Sequence, residues 1–155
     1  MEQTPKPIEP EGMFSGLNIK AIIVGVLADI SSTFILGIIL TTVLLVKEHG
    51  PEIPDEAIDN LLKSDSTLYL YLLLGLSCTV FGGFIAAKMA GSLAIRHGGW
   101  VGAASLISGV LMEMLIEQNY AYPDWYMYIS MAGVIPAGTL GGYIFALIKK
   151  VDESI

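Results

Sequence analysis

The sequence predicts an all-α membrane protein of four transmembrane helices, on three observations. Of its 155 residues, 54% are hydrophobic and 15% charged, and the mean hydropathy of +0.66 is above that of soluble domains of this size. The apolar residues fall into four runs, each long enough to cross about 30 Å of hydrocarbon at about 1.5 Å per residue. Within these runs small residues recur every fourth position, the spacing that lets helices approach closely in lipid. Thr79, Gly83, Ala87 and Gly91 make one such row, and Gly82, Ala86, Ala90 and Ala94 the row beside it. A chain of this length is ordinarily one domain.

Residues 1–18 carry Pro5, Pro7 and Pro10 among Glu2, Glu9 and Glu11. Such a segment buries too little apolar surface to offset ordering entropy, so a mobile cytoplasmic tail is expected. It lacks the basic start of a secretory signal, and the first apolar run is expected to be retained. That first span covers about 21–46, bracketed by Lys20 and Lys47 and interrupted only by Asp29. The outer loop 47–66 is acidic, with Glu48, Glu52, Asp55, Glu56, Asp59 and Asp65. Inside it, residues 54–63 place Ala57, Ile58, Leu61 and Leu62 on one face, which predicts a short amphipathic helix lying on the outer surface.

The second span is expected over about 67–95, capped by Asp65 or Ser66 and anchored at the interface by Tyr69 and Tyr71. Stopping at Lys88 makes a minimal span; continuing to Arg96 makes Gly98 and Gly99 the first strong stop. The third span, about 99–116, has Gly98, Gly102, Ser105 and Gly109 along one strip. After a short connection, Asp124 is expected to cap a fourth span over about 125–148, with Trp125, Tyr126 and Tyr128 at the interface. Pro136 should kink this helix near mid-membrane. Residues 151–155 form a short tail. The helix-packing residues expected from this patterning are Gly82, Gly83, Ala86, Ala87, Ala90, Gly91, Gly102, Gly109, Gly138, Gly141 and Gly142.

Lys6, Lys20, Lys88, Arg96, Lys149 and Lys150 share one side, against Lys47 and Lys63 on the other. This bias predicts both termini in the cytoplasm. A faint internal echo is also present. Val24-Gly-Val-Leu-Ala-Asp-Ile-Ser31 resembles Val101-Gly-Ala-Ala-Ser-Leu-Ile-Ser108, and Gly82-Gly-Phe-Ile-Ala-Ala resembles Gly141-Gly-Tyr-Ile-Phe-Ala. Tandem hairpins produce this pattern, as does chance among a few small and branched residue types.

Asp29 and Lys88 are the sharpest candidates for chemistry. If the second span continues to Arg96, both lie at about 12 Å depth, where an ionisable group needs a partner, water or a route to the headgroups. One reading is an ion or proton relay or a ligand site. The other has Lys88 reaching the headgroups while Asp29 bonds Ser31, Ser32 or Thr33, or a plain structural ion pair. Glu113 and Glu117, one turn apart at the outer end of the third span, read as solvated carboxylates or, less simply, a cation site. One cysteine and two histidines at opposite faces make no zinc set, so no metal and no cofactor are expected. Cys78 reads as a small packing residue, and Met112, Met114, Met127 and Met131 as core filler. Ser31, Ser105 and Ser108 have only Lys88 near their depth as a base, and no nucleophile elbow, phosphate loop or zinc-protease helix is present. The net charge of -7, with no basic face, argues against nucleic acid.

At Gly82-Gly-Phe-Ile-Ala-Ala-Lys-Met-Ala-Gly91, followed by Arg96-His-Gly-Gly-Trp-Val-Gly102, the chain resembles small bacterial four-span, glycine-rich inner-membrane proteins of unknown function. The resemblance covers about 17–150 and implies an inner-membrane setting, while the long acidic loop departs from the tight loops usual there. The expected role is non-enzymatic helix–helix association, as an accessory or assembly subunit or a homo-oligomer, with the bilayer and other membrane proteins or a second copy as partners. The alternative is a small oligomeric transporter or channel using Asp29 and Lys88.

Overall fold

The structure, a computed structural model, describes residues 14–54, 56–115 and 122–154. Most of the N-terminal tail, Asp55, Glu117 and Tyr120 therefore lie outside the described residues. Five helices follow one another: α1 (Ile19–His49), α2 (Ala57–Lys63), α3 (Asp65–Ala90), α4 (Ala94–Leu115) and α5 (Asp124–Asp152). The protein is all-α, and α1, α3, α4 and α5 are each long and apolar enough to cross a membrane. It is a multi-pass membrane protein. The outward side chains agree with lipid as solvent, since Ile38 and Leu73 are about two-thirds exposed at 65% and 66%. In water such surfaces would associate, but against acyl chains they incur no penalty.

The four spans alternate in direction, so the start of α1, the α3–α4 turn and the end of α5 share one end of the bundle, the terminal end. The other is the α2 end. α3 packs against α1, α4 and α5; α5 also packs on α4; α1 rests on α3 and α4 without touching α5. At the α2 end, Ala57 and Leu61 of the short helix are buried with Leu45 and beside Leu44 of α1. Ile58, on the expected apolar face, is exposed.

The helix boundaries correct several expectations. α3 stops at Ala90, not near residue 95, because Gly91 adopts the left-handed conformation (φ 69°, ψ −15°) and its N–H donates to the Ala87 carbonyl. A left-handed C′ glycine closes a helix without the Cβ penalty another residue would meet. Gly98 and Gly99 lie inside α4 and stop nothing. Leu93, in the three-residue turn between the helices, also has positive φ at 47°. That conformation costs a non-glycine residue about 1 kcal/mol. Ser64 rather than Asp65 or Ser66 is the N-cap of α3, and Pro123 rather than Asp124 that of α5. Both aspartates sit in the first turn instead, where their charge opposes the helix dipole. α5 continues through Pro136, which is exposed.

The seams are backbone against backbone. A methyl on Gly25 would stand 2.7 Å from the Gly82 carbonyl and 2.8 Å from Val101, and one on Gly102 would stand 2.7 Å from Ile135 Cα. Gly83 of α3 and Gly98 of α4 both face the carbonyl of Gly138, Gly141 faces Val80 and Phe84, and Gly142 faces Ala94. The echoed pairs thus occupy different seams. Gly25 meets α3, its counterpart Gly102 meets α5, and the two Gly-Gly pairs have unlike neighbours. Two residues of the expected packing set are not in a seam: Gly91 is a helix cap, and a methyl on Gly109 would meet nothing within 4 Å. Gly75 of α3 is equally open. Gly75→Ala is therefore expected to raise stability by about 0.5–1 kcal/mol through helix propensity alone, read as a higher unfolding midpoint in detergent.

Candidate functional site

Side chains of three helices converge on Asp29. It lies on α1 beside Gly25, on the narrow strip that touches α3 and α4, and is 4% exposed. Ser105 of α4 donates to Asp29 Oδ2 at 2.6 Å. Thr79 of α3 stands 3.2 Å from both carboxylate oxygens, and Thr33, one turn along α1, is 3.5 Å from Oδ1. Gly82 makes the approach possible, since a Cβ there would lie 2.9 Å from that of Asp29. Three helices are thereby tied at one carboxyl group.

The hydroxyl hydrogens decide what this cage can hold. Thr79 Oγ1 also lies 3.1 Å from the Gly75 carbonyl, and its single hydrogen serves one acceptor at a time. Donated to Asp29, it helps solvate a carboxylate. Donated to Gly75, it leaves Thr79 Oγ1 as acceptor for a protonated carboxyl. The same oxygen atoms therefore accommodate both charge states without moving. Among the described residues no buried side-chain nitrogen or oxygen lacks a hydrogen-bond partner.

Lys88 does not belong to this site. It lies nine residues beyond Thr79 on the same helix, about 13 Å along the axis, exposed in the last turn of α3. The expectation of equal depth assumed a helix running on to Arg96, and the Gly91 cap removes that assumption. Of the three nearby hydroxyls expected as partners, only Thr33 reaches the carboxylate; Ser32 donates to the Asp29 carbonyl and Ser31 is exposed. The decisive partners are 50 and 76 residues away in sequence. In the sequence Thr79 belongs to a small-residue row and Ser105 to a small-residue strip, and a hydroxyl inside such a strip is their only signal.

A second polar contact lies at the terminal end. His97 on α4 is completely buried. Its Nδ1–H donates to the Leu93 carbonyl at 3.0 Å, and its Nε2 accepts the Asn18 N–H at 2.8 Å. Asn18 in turn caps α1, its Oδ1 accepting from Ala21 N at 3.1 Å. At the same end of the bundle Phe14 and Trp100 pack with ring centroids 4.9 Å apart. One imidazole thus pins the start of α1 to the strained turn between α3 and α4.

The remaining candidates are placed apart. Glu113 is exposed near the α2 end of α4, beside a cleft between α4 and α5. Met127 and Met131 line that cleft, as does Met112, while Met114 is exposed at 79%. Cys78 is buried on α3. Among the described residues no group of histidine, cysteine, aspartate and glutamate could hold a metal ion. No family model, curated protein or solved structure matches this chain.

Proposed function

We infer that the protein acts through helix association in the membrane, as an accessory or assembly subunit or as a self-associating scaffold, and that it performs no chemistry of its own. The observation that carries this reading is the use of the polar and small residues. Glycine faces are spent on backbone contact between helices, and Asp29, the one buried acid among the described residues, is enclosed by three hydroxyls of the same bundle. What α1 offers outward is a long apolar face with Gly37 open at its surface. The proposed setting is a bacterial-type inner membrane with both termini cytoplasmic, supported by the six basic residues outside α2 and its flanks. Purification in mild detergent, followed by mass measurement of the intact particle, tests the reading. A stable hetero-complex or a defined homo-oligomer is expected; a monomer in every lipid and detergent condition, with no co-purifying partner, overturns it.

One observation favours the second reading, a small transporter. Ser105 bonds Asp29 and also lines the α4–α5 cleft, so a single hydroxyl separates the buried carboxyl from that opening. Asp29 and not Lys88 would then carry the route. Cysteines placed at positions 29, 32 and 88 discriminate the two. In the packed bundle, position 29 reacts slowly with a water-soluble maleimide and position 88 quickly; fast labelling at 29 and 32 indicates a conducting pathway. Because the cage holds a neutral group equally well, Asp29→Asn is expected to change the unfolding midpoint by less than about 1 kcal/mol equivalent, and a large loss of stability would show that the charge itself is structural.

A further inference from the structure

The α4–α5 seam opens toward the α2 end. Gly98 meets Gly138 and Gly102 meets Val134 backbone to backbone, but one turn farther on larger side chains separate the helices and Gly109 has nothing near it. The result is a cavity of about 310 Å³, at the lower end of the ~300–1,000 Å³ range of small-molecule sites. The antiparallel register set by those glycine contacts places Ser105 and Ser130 together at its floor. Glu113 lies about 12 Å farther along α4, at the mouth with Tyr122 and Tyr126.

The polar side chains at the floor of this cavity are acceptors, while the Tyr122 and Tyr126 hydroxyls at its mouth can donate or accept. Ser105 commits its hydroxyl hydrogen to Asp29 and Ser130 commits its own to the Met127 carbonyl at 2.9 Å, so both present only lone pairs inward. Glu113 contributes a carboxylate. Tyr122 and Tyr126 stack at 5.0 Å and form an aromatic wall beside the mouth. Among the described residues no lysine, arginine or histidine lines the space, and its walls are otherwise apolar. A cation with N–H donors and an apolar body satisfies this lining; a phosphate-bearing headgroup would find no counter-charge.

We propose that the α4–α5 cleft binds a primary alkylammonium ion, its ammonium between Glu113 and the tyrosine rings and its chain among Met127, Met131 and Val134 toward Ser105. The site does not rest on the association reading: binding is measurable whether the particle is a monomer or an assembly, and a failed binding test leaves the particle mass unaffected.

The probe is n-octylammonium, titrated calorimetrically into the full chain embedded in phosphatidylcholine nanodiscs, with empty nanodiscs as reference. Saturable binding of one ion per chain is expected. Glu113→Gln should weaken it about tenfold by removing the counter-charge, and Met131→Trp should abolish it by filling the cavity. Glu52→Gln, in the α2 loop, should leave it unchanged. Octanol and octyl sulfate should not compete. Heats equal to those of empty nanodiscs, undiminished affinity in Glu113→Gln, or equal competition by octanol would each overturn the proposal, the last by showing an apolar cleft that lipid fills. Should Met131→Trp fail to fold, Glu113→Gln still decides, since that side chain is exposed and its replacement leaves the bundle intact.

Discussion

Gly138→Leu is expected to prevent the bundle from forming. Gly138 is the point where α3, α4 and α5 meet, with Gly83 on one side and Gly98 and Gly102 on the other. Even the first carbon of a side chain there would stand 2.8 Å from Gly102 N and 3.0 Å from its Cα, and closer still to the Gly98 carbonyl. All of these are backbone atoms of a helix that is itself pressed against α5 by Gly142 on Ala94. No rotamer change relieves the overlap, so α4 must move away along its whole seam. Overpacking a core ordinarily costs about 1–3 kcal/mol, and here the loss of the α4–α5 contact adds to it. Gly138→Ala should already lower the unfolding midpoint, and Gly138→Leu should give aggregated material on size exclusion in detergent. Gly75→Ala is the internal comparison, because Gly75 belongs to the same chemistry with nothing opposite it. If Gly138→Ala behaves like Gly75→Ala, the three-helix seam described above is wrong.

His97→Ala should be the most damaging substitution of a polar side chain. It empties a completely buried volume and strands the Asn18 N–H, while the Leu93 carbonyl loses its imidazole donor and keeps the backbone N–H of residue 97. Cavity formation and an unmade buried hydrogen bond together amount to about 3 kcal/mol. Asn18→Ala removes only the cap of α1, worth about 1 kcal/mol, because the backbone N–H that His97 accepts remains. The ordering His97→Ala far below Asn18→Ala, with Asn18→Ala slightly below the parent, is read from unfolding midpoints. A cysteine at Leu17 should become more reactive in His97→Ala, as the start of α1 detaches from the α3–α4 turn. Equal midpoints for the two variants would show that the imidazole holds nothing.

These effects differ in how visible they were beforehand. The four spans were legible because a bilayer leaves a chain little choice: every backbone group must bond within its own segment, and apolar length then marks each helix. α2 was legible from Ala57, Leu61 and Leu62 at helical spacing between acids and a lysine. The end of α3 was not. Gly91, Gly98 and Gly99 are equally able to stop a helix, and Gly91 does so because Gly98 is needed inside α4 against Gly138. Nothing near His97 in sequence indicates that Asn18, 79 residues earlier, lies against it.

Composition and spacing alone determined that this chain is a four-span helical membrane protein, that its helices approach through small residues, and that Asp29 requires a partner. Which glycines face a neighbour and which face open space, Gly98 against Gly109, was decided by tertiary structure, because a four-residue repeat looks the same on either side of a helix. So was the identity of the groups that enclose Asp29. Residues 79 and 105 are brought to it by the crossing of α1 over α3 and α4, a geometry set by backbone contact at Gly25 and Gly82, and no local pattern along the chain encodes a distance between helices.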